Sequence, residues 1–387
     1  DNWFEGPTAQ ACGACHDEVD FATGANHAGG PAINSECDGC HWPGTSLGAD
    51  VKHRGMQRAT LADRYAFVID DIAIAGDTLE IDYMVTRDGL PVNLASAPEW
   101  NQSSSRATLL VGWSTSDYTN VGSGETPAEP LSLDGLDIGG EATELSPGLY
   151  QVVADLDGTG ASGTVTVAMN GRGVADLDGD STYDDNFPVR NDYWSLNIDG
   201  GRAVTVDRRD VVEIDKCNAC HDASGLGLSL HGNNRTGEIQ VCVLCHNPDA
   251  TDIAVRPAAP AVGVDGKAEE SIDFKRMIHQ IHSGAELANG VVIYGYHGSV
   301  NDYSGVHFIG NRMNCETCHD SGTYGAEAAA ATLPSTIDTG ADLADPDDDL
   351  NISPIAAVCS SCHDDRASTD HMKLHGASFQ ALDADIL

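Results

Sequence analysis

The sequence is short of positive charge and of long apolar runs, and both shortages exclude classes of partner. The chain has 387 residues, of which 20 are basic and 60 acidic, so its formal net charge is −40. A surface of this sign repels nucleic acid and anionic membrane surfaces, and we expect no nucleic acid among its partners. No apolar run has the length that a membrane-spanning helix needs, so we expect no membrane span.

Cysteine is also missing outside a single pattern. All twelve cysteines lie in six copies of C-x-x-C-H. The copies are Cys12/Cys15/His16, Cys37/Cys40/His41, Cys217/Cys220/His221, Cys242/Cys245/His246, Cys315/Cys318/His319 and Cys359/Cys362/His363. This spacing is typical of c-type haem attachment, in which both thiols form thioethers with haem and the adjacent His binds the iron. A disulfide framework or a zinc site would not need that His, so the sequence predicts six covalent haems.

The start of the sequence bears on where the chain acts. It begins at Asp1 rather than Met and shows no signal peptide, which suggests a processed chain. Haem c is attached outside the cytoplasmic membrane, so we expect periplasmic maturation after removal of an export signal. No cysteine outside the motifs is available to carry a lipid. We therefore expect a secreted, extracellular or cell-surface protein without a covalent anchor.

The motifs divide the chain into three segments. Two copies end by His41 and the next begins at Cys217, which leaves a gap of about 175 residues, the size of a domain. Within it, residues 65–94 alternate apolar and polar residues between Gly-Asp and Asp-Gly turns, as β-strands do. We predict a mixed fold, in which an all-β domain at residues 61–213, a sandwich or small barrel without haem, is flanked by two loop-rich haem segments with few short helices, residues 1–60 and 214–387.

Histidine is more abundant than the motifs require. Six of the fifteen belong to the motifs, and nine remain for the second axial position of six irons. This surplus predicts bis-His ligation. The helix predicted from Ser271, as N-cap, to Gly284, as its end, carries His279 and His282. Residues three apart share a helix face, so these two histidines could reach two haems.

The other second ligands are less constrained. His27, His53 and His231 join the helix pair as the first candidates, whereas His371 and His375 compete for the sixth position and His307 could replace either. A faint repeat aligns the sequence after Cys12 with that after Cys359 and places His27 on His375, which favours His375. We expect His297 to be a surface residue.

An acidic turn is a candidate calcium site. Asp176, Asp178 and Asp180 alternate around Gly179, as carboxylates do in the first half of calcium loops. The closing Glu of such loops is missing, so an acidic β-turn without a metal is an equal alternative.

Several stretches near the last four motifs resemble the OmcA/MtrC family of outer-membrane multihaem cytochromes of metal-reducing bacteria. They are VVEIDKCNACH, LSLHGNNRTGEIQVCVLCHNPDATD, SIDFKRMIHQIHSG, NCETCH and ISPIAAVCSSCHDDRASTDHMKLHG, and they cover most of residues 211–376. Residues 65–210 are similar in kind to the β domain that precedes a haem domain in that family. The resemblance implies His231, His279, His282 and His371 as second ligands, and it does not extend to His375.

The resemblance also implies a function. Family members pass respiratory electrons to extracellular acceptors such as metal oxides and exchange them with redox partner cytochromes. We expect an electron carrier, because an iron with two His ligands has no open position for a substrate. The alternative is a multihaem reductase of a small oxyanion or nitrogen compound, often marked by a C-x-x-C-K motif, and none occurs here.

Two departures from the family pattern suggest self-assembly. Family members usually carry ten haems in five-haem domains, whereas this sequence has six motifs, two before the β domain and four after it. The stretch from Cys37 to His53 resembles what normally closes a five-haem domain. If the four-motif end of one copy docks on the two-motif start of the next, each junction restores a complete domain. A head-to-tail contact that does not close makes a filament, and the alternative is a secreted monomeric shuttle.

Overall fold

The structure is a computed structural model, and it describes residues 6–14, 16–43, 47–115, 129–201, 203–206, 209–222, 227–258, 261–343 and 345–382. For residues 50–56 and 204 only the backbone is described. Cys15 and the side chain of His53 therefore lie outside the described residues.

The helices are short, and most lie in the two segments that carry C-x-x-C-H. The described residues contain α1 (Ala9–Gly13), α2 (Asp38–His41), α3 (Ala49–Ala62), α4 (Ile214–His221), α5 (Ile239–Cys245), α6 (Phe274–Ser283), α7 (Ala326–Ala330), α8 (Pro354–Cys359) and α9 (Arg366–Leu374). Within the described part of the chain, no helix combines the length and the apolar character that crossing a membrane requires.

The strands between the second and the third C-x-x-C-H motif form two antiparallel sheets. They are β1 (Tyr65–Ala75), β2 (Thr78–Arg87), β3 (Leu90–Pro91), β4 (Arg106–Trp113), β5 (Leu131–Asp134), β6 (Ala142–Ser146), β7 (Leu149–Asp155), β8 (Thr164–Ala175), β9 (Asp185–Pro188), β10 (Asp192–Asn197) and β11 (Val204–Thr205). One sheet has the order β1-β2-β7-β6 with β3 beside β2, and the other has the order β11-β10-β8-β4-β5 with β9 beside β8. Neither closes into a barrel over the described strands, so of the two predicted architectures the structure has the sandwich.

The core of the sandwich follows from strand periodicity. In β2 the side chains of Leu79, Ile81, Tyr83 and Val85 are buried and their neighbours are less so, because alternate residues face opposite sides of a sheet. These side chains belong to one core cluster that both sheets share. The packed side chains of this interior hold the two sheets together.

The central strand β8 departs from that alternation, since it is buried on both faces. On its outer face Val241 and Leu244 of α5 pack against Leu110 and Ala168. The segment that carries the fourth motif therefore packs on the outer face of the sandwich.

The residues after the sandwich contain more strand than predicted. They form the hairpin β12 (Ser229–Leu230) with β13 (Arg235–Thr236), the hairpin β14 (Val292–Gly295) with β15 (Ser299–Asp302), and a sheet of β16 (Ser335–Asp338), β17 (Leu350–Ile352) and β18 (Phe379–Ala381). The prediction of loops with a few short helices missed these pieces because strands of two to four residues are too short to show a period.

For the helix that carries His279 and His282, the sequence predicted the C-terminal end correctly and the N-terminal end incorrectly. It ends at Gly284, whose backbone amide bonds to the carbonyl of Ile281. The predicted N-cap Ser271 was wrong, because Asp273 precedes the first helical residue. Ser271 instead forms a β-bridge with Thr251, and that pairing holds its backbone extended.

Candidate haem sites

Each C-x-x-C-H motif bends into one helical turn. In five of the six motifs the amide of the His donates to the carbonyl of the first Cys at 2.8–3.0 Å, and the third motif lies within α4. One turn brings residues i, i+3 and i+4 to the same face. In the five motifs whose two cysteines are both described, the two thiols and the imidazole therefore lie on one side of the backbone, as attachment to a single haem requires. None of the eleven cysteines that the structure describes is joined in a disulfide.

The exposure of the thiols differs from one motif to the next. Cys40 and Cys220, the second cysteines of their motifs, are exposed. Cys362 is half-buried, and its sulfur accepts a hydrogen bond from Oγ of Ser283 at 3.2 Å. The polypeptide therefore leaves two sulfurs open and gives the third a polar contact, and the attachment of all three to haem stays a prediction.

The other described thiols are partly covered by the chain, as Cys362 is. They are Cys12, Cys37, Cys217, Cys242, Cys245, Cys315, Cys318 and Cys359. Burial raises the pKa of Cys242 to about 12, so this thiol is protonated at neutral pH. Formation of a thioether consumes the thiol and its proton, and the charge that burial disfavours then never has to be carried.

Among the described side chains, four motif histidines face a second histidine ring. The distances between ring centres are 6.2 Å for His27 and His41, 5.9 Å for His221 and His282, 6.0 Å for His231 and His246, and 5.9 Å for His279 and His319. An imidazole nitrogen binds a first-row metal at about 2 Å, and its ring centre lies about 1 Å further away. Two rings on opposite sides of one ion are thus about 6 Å apart, so all four pairs fit the two axial positions of an iron.

Backbone carbonyls orient four of these rings. The Nδ1 atoms of His27 and His41 lie 2.6 Å from the carbonyls of Gly30 and Leu47. The same contact measures 3.0 Å from His246 to Ile272 and 2.8 Å from His282 to Ile278. Because a carbonyl only accepts, Nδ1 must carry the proton and donate. The Nε2 lone pair is then left for a metal, which is the arrangement that supporting residues impose on metal-binding histidines.

Burial keeps two of the rings neutral. It lowers the pKa of His246 to about 4, and the positive charge of a protonated His231 acts in the same direction. It also lowers the pKa of His279 to about 4, with His319 as the second cause. A histidine must be unprotonated to bind a metal. Both rings are therefore in the binding form at neutral pH.

The other two motif histidines, His16 and His363, are exposed. Among the described side chains no second histidine faces His363. The rings of His371 and His375, which compete for the sixth second-ligand position, contact each other with centres 4.5 Å apart, at the end of α9. His53 lies on α3, but its side chain is outside the described residues.

The remaining histidines lie away from the described pairs. The side chain of His307 is 79% exposed, with Nδ1 3.8 Å from Glu286. His297 is exposed, adopts a left-handed conformation with φ of 55°, and contacts the ring of Tyr296.

The acidic turn brings its three carboxylates together. Asp176, Asp178 and Asp180 each offer an oxygen within 4.8 Å of the others. Asp176 accepts hydrogen bonds from the amides of Gly179 at 2.7 Å and Ser181 at 2.9 Å. These bonds close the turn by themselves, so the geometry is compatible with both alternatives raised by the sequence.

Sequence reasoning missed the support that the sandwich gives to His231. This histidine begins the turn between β12 and β13, and the hairpin docks on β8 and the residues before β10. The amide of Gly171 donates to the carbonyl of Asn234 at 3.1 Å, and the amide of Thr236 donates to Oδ1 of Asn191 at 2.8 Å. The Gly-Asn-Asn run after His231 indicates a turn, but nothing local in the sequence indicates what the turn rests on.

Comparison with known proteins gives a consistent assignment. Residues 209–386 match a family model described as outer membrane cytochrome MtrC/MtrF-like, domains II/IV. Over 388 aligned residues the chain is 25% identical to the multiheme cytochrome MtrC of Shewanella baltica strain OS185, with 94% of this chain and 51% of that protein covered. The chain thus spans about half the length of this curated relative.

Two solved structures share the fold. The crystal structure of MtrC from Shewanella baltica OS185 superposes with a TM-score of 0.56 at 18% identity and covers 99% of this chain and 59% of that one. The outer membrane decaheme cytochrome OmcA superposes with a TM-score of 0.55 at 16% identity and covers 96% of this chain and 52% of that one.

Proposed function

We propose that this chain, a multihaem c-type cytochrome that resembles the OmcA/MtrC family of outer-membrane cytochromes, binds six haems and carries electrons in extracellular electron transfer. The observation that supports this most strongly is the second histidine ring placed 5.9–6.2 Å from four of the motif histidines. Two such ligands leave the iron no open position. That favours electron transfer over reduction of a small substrate at the metal.

The ligand sets follow from these pairs. The thiols of each motif would hold one haem covalently, and the motif histidine would be its first axial ligand. We assign His27, His282, His231 and His279 as the second ligands opposite His41, His221, His246 and His319, respectively. Haem supplies one-electron redox chemistry when bound. The contribution of this chain is to keep the imidazoles neutral, fix their tautomer through backbone carbonyls and limit access of water.

Intact mass and electron paramagnetic resonance (EPR) of the ferric protein test this function. We expect the polypeptide mass plus six haems, and low-spin signals only. A stoichiometric high-spin signal would mean an open iron and would favour the multihaem reductase. A mass with fewer haems would contradict the assignment of all six motifs.

Location and partners are part of the same proposal. The related proteins are described as outer-membrane cytochromes, which supports a place outside the cell or at its surface. Redox partner cytochromes on one side and extracellular acceptors such as metal oxides on the other would then give and receive the electrons. We retain the division into residues 1–60, 61–213 and 214–387 as two haem segments and a β domain.

Head-to-tail assembly into a conductive filament is a further part of the proposal. It is supported by the order of the segments, two motifs, then the sandwich, then four motifs. It is also supported by His363, which is exposed and faces no second histidine among the described side chains. A neighbouring copy would complete this site, and His53 is a candidate donor.

Calcium binding at the acidic turn is supported by the convergence of Asp176, Asp178 and Asp180. Calorimetric titration with Ca²⁺ alone tests it. Asp178→Asn removes one charged ligand and should weaken binding by about tenfold or more. Asp184→Asn, an exposed residue of the same loop, is the matched control and should leave binding unchanged. Equal affinities in both variants, or no heat in the wild type, would identify a plain acidic turn.

A further inference from the structure

Arg235 is a positive charge held beside one of the histidine pairs. The register of the hairpin pairs Arg235 with Leu230, the residue before His231. Its partly buried guanidinium donates to Oδ1 of Asn170 on β8. Asn170 is itself buried, and its Nδ2 donates to the carbonyl of Thr108 at 3.1 Å. The sandwich therefore fixes where this charge lies.

The charge lies on the face of the sandwich that carries the fourth motif. Asn170 follows Ala168 by two residues on β8, so both side chains are on the same face of the strand. Val241 and Leu244 of α5 pack against Ala168 on that face, and α5 carries Cys242 and Cys245. The guanidinium held by Asn170 is therefore next to the helix that would bind this haem.

No carboxylate cancels this charge within the described residues. Arg256 shows the contrast, since its fully buried side chain is paired with Asp252 at 2.7 Å and with Asp265 at 2.8 Å. Arg235 instead donates to Oδ1 of Asn170 and to the backbone carbonyl of Asn234. Leaving a cation unpaired in a partly desolvated position is costly. The chain has 60 acidic residues, yet none of those described forms an ion pair with Arg235. The unpaired charge of Arg235 therefore requires a physical explanation.

We propose that Arg235 raises the reduction potential of the haem held between His231 and His246, and that Asn170 is the residue that positions it. The inference rests on the proposed function, in which these two histidines bind one iron. Reduction adds one electron to the haem, and a fixed positive charge stabilises the reduced form more than the oxidised form. Water exclusion by α5 and the sandwich strengthens the effect. Contact of the guanidinium with a propionate of this haem would act in the same direction.

The test needs a signal from this haem alone. His231→Ala should remove one axial ligand and give one high-spin ferric EPR signal among six haems. The potential at which that signal disappears on reduction is the midpoint of this haem. In this background Arg235→Gln should move the midpoint to lower potential, and Arg235→Lys should largely restore it. With an effective dielectric constant of about 20 and a separation of about 10 Å, we expect roughly a tenfold change in the reduction equilibrium.

Two further variants separate position from net charge. Asn170→Ala keeps the charge but frees the guanidinium, so it should move the midpoint in the same direction by less. Arg64→Gln removes a positive charge beside the other sheet, where Arg64 pairs with Asp88 at 2.6 Å, and it should leave the midpoint unchanged. Intact mass with six haems verifies that each variant is assembled.

The outcomes distinguish this inference from the function on which it rests. A high-spin signal whose midpoint is the same with Arg235 and with Gln at that position overturns the inference and leaves the ligand assignment intact. The lack of a high-spin signal in His231→Ala overturns both. An equal shift in Arg64→Gln would reduce the effect to net charge and would also overturn the inference.

Discussion

His279 and His282 lie three residues apart on α6, yet their rings turn to two different motif histidines, His319 and His221. Neighbours on one helix face diverge enough at the ends of their side chains to serve two metal sites. The spacing between these two proposed haems is thus set by one turn of a ten-residue helix. Electron exchange between them would depend little on motions elsewhere in the chain.

This geometry predicts the effect of removing a single ligand. In His279→Ala the iron bound by His319 should lose its second axial ligand, and one haem in six should become high-spin, as measured by EPR. His297→Ala is the matched control, because His297 is exposed and contacts Tyr296 rather than a motif histidine. A fully low-spin His279→Ala protein would show that another residue ligates this iron.

At the level of secondary-structure elements, the sandwich acts as a frame for the fourth haem site. α5 carries Cys242 and Cys245 and packs on the outer face of β8, and the hairpin that begins at Ser229 rests on the same strand. Gly171, whose amide donates to Asn234 of the hairpin, also allows β4 to lie close to β8, because its φ is +146° and a Cβ there would lie 2.0 Å from the carbonyl oxygen of Arg106. The motif and its second ligand are thus supported by one sheet.

The docking of the hairpin can be tested at Asn191, whose side chain accepts the amide of Thr236 at 2.8 Å in a buried position. Asn191→Ala leaves that amide without a partner, so the free energy of unfolding should fall by about 1–3 kcal/mol. Chemical denaturation followed by circular dichroism measures it. Asn101→Ala, an exposed change in the same domain, should cost less than about 0.5 kcal/mol. Equal losses would indicate that the hairpin is not held through Asn191.

At the level of the whole molecule, charge and assembly are linked. The formal net charge of −40 makes copies of the chain repel one another, and haem propionates add to it. Repulsion between exposed charges weakens as the Debye length falls from about 30 Å at 0.01 M salt to about 10 Å at 0.1 M. A head-to-tail contact must therefore overcome repulsion that salt reduces.

The proposed filament should accordingly grow as ionic strength increases. Light scattering and negative-stain images of native material should show longer particles at 0.1 M than at 0.01 M salt, in line with screening. They should also show longer particles at higher protein concentration. A monomer across both ranges, with all six irons ligated from within one chain, would eliminate the filament and leave the electron carrier intact.

The sequence by itself determined the number and spacing of the C-x-x-C-H motifs, because that chemistry is local and each motif needs only one helical turn. It also predicted the strands of residues 65–94, where the alternation of apolar and polar residues indicates which side of the sheet is buried. It predicted the helix that ends at Gly284, since a glycine stop is encoded within a few residues. Its error at Ser271 arose because a β-bridge to Thr251 competes with a cap there.

Only the tertiary structure decided which histidine faces which, and how far the chain covers each thiol. His231 and His246 are fifteen residues apart and His279 and His319 forty apart, and such pairs meet only after the chain has packed. The choice of a sandwich over a barrel and the docking of the hairpin on β8 also depend on contacts distant in sequence. The same holds for Arg235, which the sequence alone does not distinguish from other basic residues. Its place beside His231 follows from Asn170, 65 positions earlier, because a charge acts through distance in space and not along the chain.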